Sequence, residues 1–368
     1  KLKQRVGEPV VRLGVGAAMR VMGQQFVLGR TIDEAIDRSR QARKDGYRFS
    51  FDMLGEAART DEAARRYFDA YVKAIKALAG RADPAADVFD NPGISVKLSA
   101  LHPRYESVQA ERLMLELVPR VTELARMAAK ANIGFNIDAE EANRLDISLD
   151  VIEAVFRDEE LRGWDGFGIV VQAYAKSCLP VLNWFHALAA SLQSRVAVRL
   201  VKGAYWDMEI KQAQTLGLQR FPVFTRKSST DVSYLAGARF LLDHADWIYP
   251  QFASHNAHTI AAVVVMAEQQ ATQMARFEFQ RLHGMGESLH AQVLERTGRI
   301  CRIYAPVGEH EDLLAYLVRR MLENGANSSF VNQLMDERIA PARLVADPID
   351  VAVSVPGIVN PKIPLPID

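Results

Sequence analysis

The chain has 368 residues, of which 49% are hydrophobic and 24% charged, and its 45 basic side chains balance 45 acidic ones. This composition is typical of a globular protein in aqueous solution, and the length allows one large domain or two modest ones. The zero net charge, with no long run of like charge, argues against a nucleic-acid-binding surface, so we expect no nucleic acid partner for this chain.

We also expect no membrane span, no signal segment and no disulfide framework in this sequence. The longest uninterrupted apolar run, residues 260–267, is too short to cross a bilayer, and no signal segment opens the chain. The only cysteines, Cys178 and Cys301, exclude a disulfide framework and a cysteine-rich zinc site, and they fit a reducing, cytoplasmic compartment. Because the sequence begins at Lys1 without a methionine and ends in a proline-rich stretch, we expect it to be part of a longer protein.

In chain order, residues 1–45 are predicted to be a helical segment, in which Thr31 to Glu34 form a capping box that begins a helix ending near Gly46. Eight short runs rich in β-branched or aromatic residues follow. Most are apolar nearly throughout, as is typical of strands buried on both faces of a parallel sheet. The predicted strands are residues 47–53, 94–98, 133–137, 167–173, 196–201, 247–252, 277–282 and 300–304.

The stretches between these strands are long enough for crossover helices. Residues 111–130, 235–242 and 260–275 carry apolar side chains at helical spacing. Eight alternating units predict a closed, distorted (β/α)8 barrel over residues 46–330, in preference to a doubly wound open sheet. No glycine-rich fingerprint follows the first strand, which weakens the nucleotide-binding form of that alternative. Residues 331–368 are predicted to be an extended arm or linker, because six of the 15 prolines lie in the last 28 residues.

Polar side chains stand near the end of nearly every predicted strand. Barrel enzymes place their sites at the carboxyl ends of the strands, and polar groups inside apolar runs are costly unless they are paired or used. For any single residue a structural hydrogen bond is the simpler interpretation, but that interpretation does not extend to the whole set. In strand order the set is Asp52 with Glu56, Lys97, Asp138, Gln172, Arg199 with Lys202, Ser254 to Asn256, Gln280 and His283 on either side of the apolar Leu282, and Tyr304.

Two further segments add positive charge to this set. Residues 224–230 form a predicted loop in which Arg226 and Lys227 could bind a pyrophosphate, although a solvated loop is the simpler interpretation. A later predicted helix carries Arg319 and Arg320, which could bind a carboxylate at the barrel mouth. The alternative there is an exposed pair between Arg319 and Glu323.

A metal site is not expected. His255 and His258 form the only close histidine pair, and only the first of them lies at a strand end.

Four ordered motifs carry a resemblance to a known family. Residues 94–100 (ISVKLSA), 199–206 (RLVKGAYW), 254–259 (SHNAHT) and 316–325 (YLVRRMLENG) closely resemble the motifs of proline dehydrogenases. More narrowly, the chain resembles the proline dehydrogenase domain of the bifunctional flavoenzymes of the proline utilization A family. The resemblance covers nearly the whole chain.

The resemblance implies a barrel that binds FAD without a covalent bond and oxidises L-proline to Δ1-pyrroline-5-carboxylate. It implies hydride transfer from proline C5 to flavin N5, with electrons passed to a membrane quinone through peripheral membrane contact. The larger enzymes of the family continue into an aldehyde dehydrogenase module, and some begin with a DNA-binding segment. We expect the second oxidation and any repressor role to be absent from this chain.

Carried over residue by residue, the resemblance also implies roles at the site. Lys97, Arg319 and Arg320 would bind the proline carboxylate, Asp138 would support the site from beneath, and Glu56 would pair with Arg320 and close it. The ring would be walled by Ala204, Tyr205, Leu282 and Tyr304. The cofactor would be bound by Val170, Gln172, Arg199, Lys202, Gly203, Ala204, Tyr205, Trp206, Thr225, Arg226, Lys227, Ser254, His255, Asn256, Gln280 and Glu323.

Two alternatives from other functional classes remain open at the level of sequence. A barrel aldolase could form a Schiff base through Lys97 or Lys202. A non-catalytic scaffold is disfavoured by the polar strand ends.

Overall fold

Eight parallel strands close into a barrel in sequence order, with the last strand pairing with the first. The computed structural model describes residue 23 and residues 25–269, 276–309, 316–320 and 345–367. The predicted (β/α)8 architecture is confirmed. The strands are β1 (Arg48–Met53), β2 (Gly93–Val96), β3 (Gly134–Ile137), β4 (Phe167–Gln172), β5 (Val196–Val201), β6 (Ile248–Ala253), β7 (Glu278–Leu282) and β8 (Cys301–Val307).

The predicted strand boundaries hold to within a few residues, and the two largest differences have local causes. β2 ends at Val96 because Lys97 is the N-cap of a four-residue helix that begins at Leu98. β8 continues to Val307 because Ala305, Pro306 and Val307 stay in register with β1. Both differences lie at the carboxyl ends of strands, where the candidate site residues cluster.

Helices surround the barrel and alternate with its strands. In chain order they are α1 (Ile32–Arg38), α2 (Arg40–Lys44), α3 (Asp61–Ala79), α4 (Leu98–Leu101), α5 (Ala110–Lys130), α6 (Leu145–Phe156), α7 (Cys178–Leu192), α8 (Trp206–Thr215), α9 (Lys227–Asp243), α10 (Ala257–Gln269), α11 (Glu287–Thr297) and α12 (Pro348–Ser354). None of the described helices is both long and apolar enough to cross a membrane.

The packing follows from the helical spacing seen in the sequence. On α5, Leu113, Leu117, Val121 and Leu124 are fully buried in the core cluster between the helices and the sheet. Such side chains recur along one stripe of the helix, because residues three or four positions apart share a face. Burial of these stripes fixes the helices on the barrel wall and thereby sets the positions of the loops at its mouth.

The predicted N-cap at Thr31 is confirmed, but the capping box is not reciprocal, because Glu34 Oε2 accepts from the Arg30 N–H at 2.8 Å, one residue before the N-cap. The Thr31 hydroxyl accepts a hydrogen bond from the Glu34 backbone N–H at 3.3 Å, and α1 begins at Ile32. The predicted single helix is divided into α1 and α2 at Ser39, whose hydroxyl donates to the Ile36 carbonyl.

Two predicted helices have different bounds in the structure. α9 begins at Lys227, eight residues before the predicted start, so the expected loop 224–230 ends at Arg226 and its last four residues belong to the helix. α10 is described over Ala257–Gln269, and the predicted continuation over residues 270–275 lies outside the described residues.

The C-terminal arm is not extended throughout, because Pro348–Ser354 form α12. Proline is compatible with this helix since it stands at the first helical position, where no backbone donor is required. The following residues run back to the barrel: the Asn360 N–H donates to the Thr225 hydroxyl at 2.9 Å, and Arg226 Nη2 donates to the Pro356 carbonyl at 3.0 Å. The arm therefore covers the loop before α9.

Candidate active site

Five side chains, each in a different strand or directly after it, meet inside the barrel near the carboxyl ends of the strands. We call Asp52, Lys97, Asp138, Arg199 and Tyr304 the mouth cluster. Lys97 Nζ lies 2.5 Å from Asp52 Oδ1 and 3.3 Å from Asp138 Oδ2. The Tyr304 hydroxyl donates to Asp138 Oδ2 at 2.6 Å, and Arg199 Nη1 donates to Asp138 Oδ1 at 2.9 Å. Residues that the sequence placed at separate strand ends thus form one connected network.

Burial and ion pairing set the protonation of this network. Burial by itself lowers the pKa of Lys97, but the negative groups around it, Asp52 first, outweigh that effect and raise the pKa well above its ordinary value. Burial raises the pKa of Asp52, and the nearby Lys97 opposes the shift. The Tyr304 pKa is raised by burial and by Asp138. Lys97 is therefore a fixed cation at neutral pH.

Two polar atoms of the mouth cluster are buried without a hydrogen-bond partner among the described residues. They are Arg199 Nε and Asp52 Oδ2. The other nitrogen atoms of Arg199 are used, since Nη2 donates to Ser95 Oγ at 3.1 Å and to Ser50 Oγ at 3.4 Å. A bound group could satisfy both Arg199 Nε and Asp52 Oδ2.

A second ion pair lies above the mouth cluster. Residues 316–320 are helical, and Arg319 donates to both Glu56 oxygens, from Nη1 at 2.6 Å and from Nη2 at 2.7 Å. The expectation that Glu56 pairs with Arg320 is therefore wrong. Neighbouring side chains on a helix diverge by about 100°, and the rotation of this helix turns Arg319 toward Glu56. The expected alternative partner, Glu323, lies outside the described residues.

Electrostatics favours this second pair in its charged form. Burial opposes both charges, but the bidentate contact outweighs it, so the pKa of Glu56 is lowered and that of Arg319 is raised. The Arg319 guanidinium also lies 5.1 Å from the centre of the Tyr205 ring. Arg319 is thus fixed by a carboxylate and an aromatic face, and three of its five N–H donors remain outside the Glu56 contact.

The predicted ring wall falls into two parts in the structure. Leu282 and Tyr304 pack against a buried cluster that includes Leu54, Tyr316 and Leu317. Tyr205 belongs to another buried cluster, and Ala204 is exposed beside it. The mouth therefore combines cations with aromatic and aliphatic surface.

Lys202 and Lys227, both expected to bind the cofactor, share a carboxylate that was not predicted from the sequence. The Nζ atoms of Lys202 and Lys227 both contact Asp231, the second at 2.5 Å. Burial lowers the pKa of Lys202, and Asp231 counters that shift. The available signal was the i, i+4 spacing of Lys227 and Asp231, which predicts an ion pair once residue 227 is placed in a helix.

The turn after β5 depends on a glycine. Gly203 has a φ of +126°, and a Cβ there would lie 2.5 Å from the Tyr174 ring. The turn leads into α8, where Trp206 Nε1 donates to the Phe224 carbonyl at 2.8 Å. It therefore brings Lys202 and Trp206 to the same side of the barrel as the Thr225–Lys227 segment.

On β4, Val170 and Gln172 share one face of the strand and are partly exposed. Gln172 Nε2 donates to the Glu140 carbonyl at 2.8 Å. Both predicted cofactor residues thus lie at the barrel mouth.

The predicted residues of β6 and β7 are held largely by structural hydrogen bonds. His255 Nε2 accepts from the Leu282 N–H at 3.0 Å, and burial lowers its pKa to about 3, so the ring is neutral. Asn256 Oδ1 caps α10 by accepting from the Thr259 N–H, and the Ser254 hydroxyl accepts from the Asn256 N–H. Gln280 is buried and donates to Glu278 at 2.7 Å, deeper in the barrel.

Within the described ranges, no group of three or more His, Cys, Asp or Glu side chains could hold a metal ion.

Comparison with known proteins is consistent with this geometry. The sequence profile described as "Proline dehydrogenase" matches residues 35–333. "Bifunctional protein PutA" of Klebsiella aerogenes is 52% identical over 373 residues, which cover 98% of this chain and 28% of that protein. "Proline dehydrogenase 1" of Bacillus subtilis is 25% identical over 312 residues, covering 85% of this chain and 90% of that protein.

The solved structures agree with these sequence matches. A variant of proline utilization A from Bradyrhizobium japonicum has a TM-score of 0.87 and 51% sequence identity, covering 99% of this chain and 37% of that one. This chain therefore spans well under half the length of the bifunctional relatives that it matches.

Proposed function

Because the chain belongs to the proline dehydrogenase family, we propose that it oxidises L-proline to Δ1-pyrroline-5-carboxylate at the mouth of the barrel. The observation that carries the proposal is the convergence of fixed cations, Lys97 and Arg319 above all, beside an aromatic wall. Proline presents a carboxylate and an apolar five-membered ring. The cations of this site complement the carboxylate, and the aromatic wall complements the ring.

In this proposal Arg319, Arg320 and Lys97 bind the carboxylate by charge-assisted hydrogen bonds. Arg319 keeps three donors beyond its contact with Glu56, so it can bind a substrate while the pair stays closed. Tyr304, Leu282, Tyr205 and Ala204 contact the ring. Binding from two sides restricts the orientation of the ring carbon, which favours a transfer reaction that depends on alignment.

We propose FAD as the cofactor, and the chemistry of the donors supports it. Arg199 Nε and Arg226 Nε are buried without a partner among the described residues, and both belong to the segments expected to bind the cofactor. Lys202, Lys227 and the start of α9 offer positive charge suited to a pyrophosphate. When bound, FAD would supply hydride acceptance at flavin N5 from proline C5.

The remaining cofactor contacts are proposed from the family resemblance. We assign them to Val170, Gln172, Gly203, Ala204, Tyr205, Trp206, Thr225, Ser254, His255, Asn256, Gln280 and Glu323.

The chain's own groups would favour the reaction through charge and exclusion of water. Arg199 is a buried fixed cation, held by Asp138, that can stabilise negative charge forming beside it. The Glu56–Arg319 pair covers the mouth. His255 Nε2 accepts a backbone hydrogen bond and is not available as a base, so we propose that solvent takes the proton of the substrate amine.

Beyond this chain we propose that electrons pass to a membrane quinone by peripheral contact, and that the whole protein also carries an aldehyde dehydrogenase module. The support is the family and its relatives named "Bifunctional protein PutA", such as that of Klebsiella aerogenes, of which this chain covers 28%.

The Schiff-base alternative is not favoured. A nucleophilic lysine must lose its proton, yet Lys97 contacts two carboxylates and its pKa is raised. Lys202 has a lowered pKa but is paired with Asp231.

A visible absorption spectrum tests the proposal directly. We expect a yellow protein whose flavin band bleaches on anaerobic addition of L-proline, with D-proline as the control. A colourless protein that remains so after incubation with FAD, and that borohydride traps with a carbonyl substrate, would support the aldolase instead.

A further inference from the structure

The loop that carries Glu56 has a strained backbone. Ala57 has a φ of +48°, in the left-handed region that side chains other than glycine rarely adopt. Such conformations cost free energy and persist only where the surroundings enforce them. Since Ala57 directly follows Glu56, the groups that enforce its conformation also determine where the Glu56 carboxylate lies.

Ser99, two residues after Lys97, supplies those contacts. Its hydroxyl accepts from the Ala57 N–H at 2.9 Å, and its carbonyl accepts from the Ala58 N–H at 2.8 Å. Ser99 is buried in the short helix α4 at the end of β2. One residue thus binds two consecutive amides of the strained loop.

Glu140 in turn holds Ser99. Its Oε1 accepts from the Ser99 N–H at 3.0 Å, and its Oε2 accepts from the Ser99 hydroxyl. The Glu140 side chain is only 6% exposed, and Arg144 Nη1 lies 3.4 Å from Oε2. Because the Ser99 hydroxyl donates its only proton to Glu140, its oxygen is left to accept from Ala57. The hydrogen bonds therefore connect the segment after β3, through α4, to the loop after β1.

We propose that Ser99 and Glu140 are positioning residues of the active site, which hold the loop after β1 so that Glu56 binds Arg319. The role in substrate binding rests on the proposed function, in which Arg319 binds the proline carboxylate. Neither residue contacts substrate in this proposal. They order the loop in advance, so that less conformational entropy is lost when proline binds.

Amide hydrogen exchange tests whether Ser99 holds the loop after β1, and the measurement does not depend on catalysis. In Ser99→Ala, we expect exchange in a peptide covering residues 54–60 to accelerate at least tenfold, because the Ala57 N–H loses its acceptor. Ser191→Ala is the matched control, since that hydroxyl donates to the Leu188 carbonyl at 2.7 Å in α7, away from the loop. Exchange at wild-type rates in Ser99→Ala would overturn the proposal, whether or not the protein oxidises proline.

Steady-state kinetics tests the role in substrate binding. Ser99→Ala is expected to raise the KM for L-proline three- to tenfold with kcat within twofold, the loss typical of one hydrogen bond. Glu140→Gln should change KM in the same direction but less, because the amide keeps one acceptor oxygen. The Glu140→Gln variant also keeps the test decisive if Ser99→Ala folds poorly.

A double-mutant cycle separates positioning from general weakening of the fold. In a Glu56→Gln background, Ser99→Ala should add less than a 1.5-fold further change in KM, because the contact that it serves is already weakened. Effects that multiply in full, or a fall in kcat with KM unchanged, would show that Ser99 does not act through Glu56. Wild-type protein that does not oxidise proline would count against the proposed function, while the exchange result would still decide the loop contact.

Discussion

The barrel contains two buried ion networks that differ in how completely their hydrogen bonds are satisfied. At the amino-terminal end, all five donors of Arg302 are used. Nε and Nη2 contact the Glu278 carboxylate, and Nη1 and Nη2 reach the carbonyls of Phe49, Asn91 and Phe89. In the mouth cluster, Arg199 Nε and Asp52 Oδ2 have no partner among the described residues. The first network is complete as it stands, whereas the second retains polar atoms that a bound group can satisfy.

The comparison shows that burial of charge alone does not mark a functional site. Glu278 is 0% exposed and Arg302 4%, so they are at least as buried as Lys97 and Asp52. The mouth cluster differs from the Glu278–Arg302 pair in its open hydrogen-bonding capacity. A buried pair with every donor used is expected to contribute to the fold, and a pair with donors in reserve to contribute to binding.

The largest expected effect lies in the complete network. Arg302→Met leaves the Glu278 carboxylate buried without its partner, which should lower the free energy of unfolding by about 3–5 kcal/mol. Urea unfolding followed by circular dichroism would measure it. Adding Glu278→Gln should recover part of the loss, because the uncompensated charge is removed. A decrease of less than about 1 kcal/mol in the free energy of unfolding would mean that the Glu278–Arg302 pair contributes no more than a surface ion pair.

The second effect concerns pH. Burial raises the Glu140 pKa from an ordinary 4.5 to about 7, so between these values the folded protein binds a proton that the unfolded chain does not. Stability from this group is therefore present at low pH and lost as pH rises to about 7, by about 3 kcal/mol in total. Unfolding of wild type and Glu140→Gln across pH 4.5–8 measures the difference. Parallel curves for the two proteins would place the Glu140 pKa near its ordinary value.

The sequence predicted the barrel and the composition of its mouth, because apolar strand runs and polar strand ends are local features. The Glu278–Arg302 pair was not predicted, although Glu278 interrupts the apolar run of β7 and Arg302 interrupts that of β8. The sequence-based prediction also assigned Glu56 to Arg320 rather than to Arg319. That choice depends on the rotation of a helix about its axis, which the packing of Tyr316 and Leu317 determines and no local pattern encodes.

The third effect tests the mouth itself. Arg319→Met removes charge-assisted contacts with the proposed carboxylate, which should weaken proline binding by about 1.5–3 kcal/mol, or roughly 10- to 150-fold in KM. Arg276→Met is the matched control, since Arg276 lies just before β7 at the amino-terminal end of the barrel, where it pairs with Asp87 and Asp90. Unchanged proline affinity in Arg319→Met would remove this residue from the substrate site, and an equal effect in the control would indicate non-specific damage.

The smallest effect concerns the shape of the mouth rather than its charge. Tyr304 packs beside Leu282 while its hydroxyl is fixed by Asp138, so the ring is held rigidly where the substrate ring is proposed to lie. Tyr304→Ser should open space there and reduce the preference for proline over hydroxyproline, by about 1 kcal/mol or roughly fivefold in kcat/KM. Tyr304→Phe keeps the ring and loses only the hydroxyl, so it should retain the preference. If Tyr304→Ser discriminates as well as wild type, the wall that selects the substrate lies elsewhere, and the rigidity of Tyr304 serves the ion network alone.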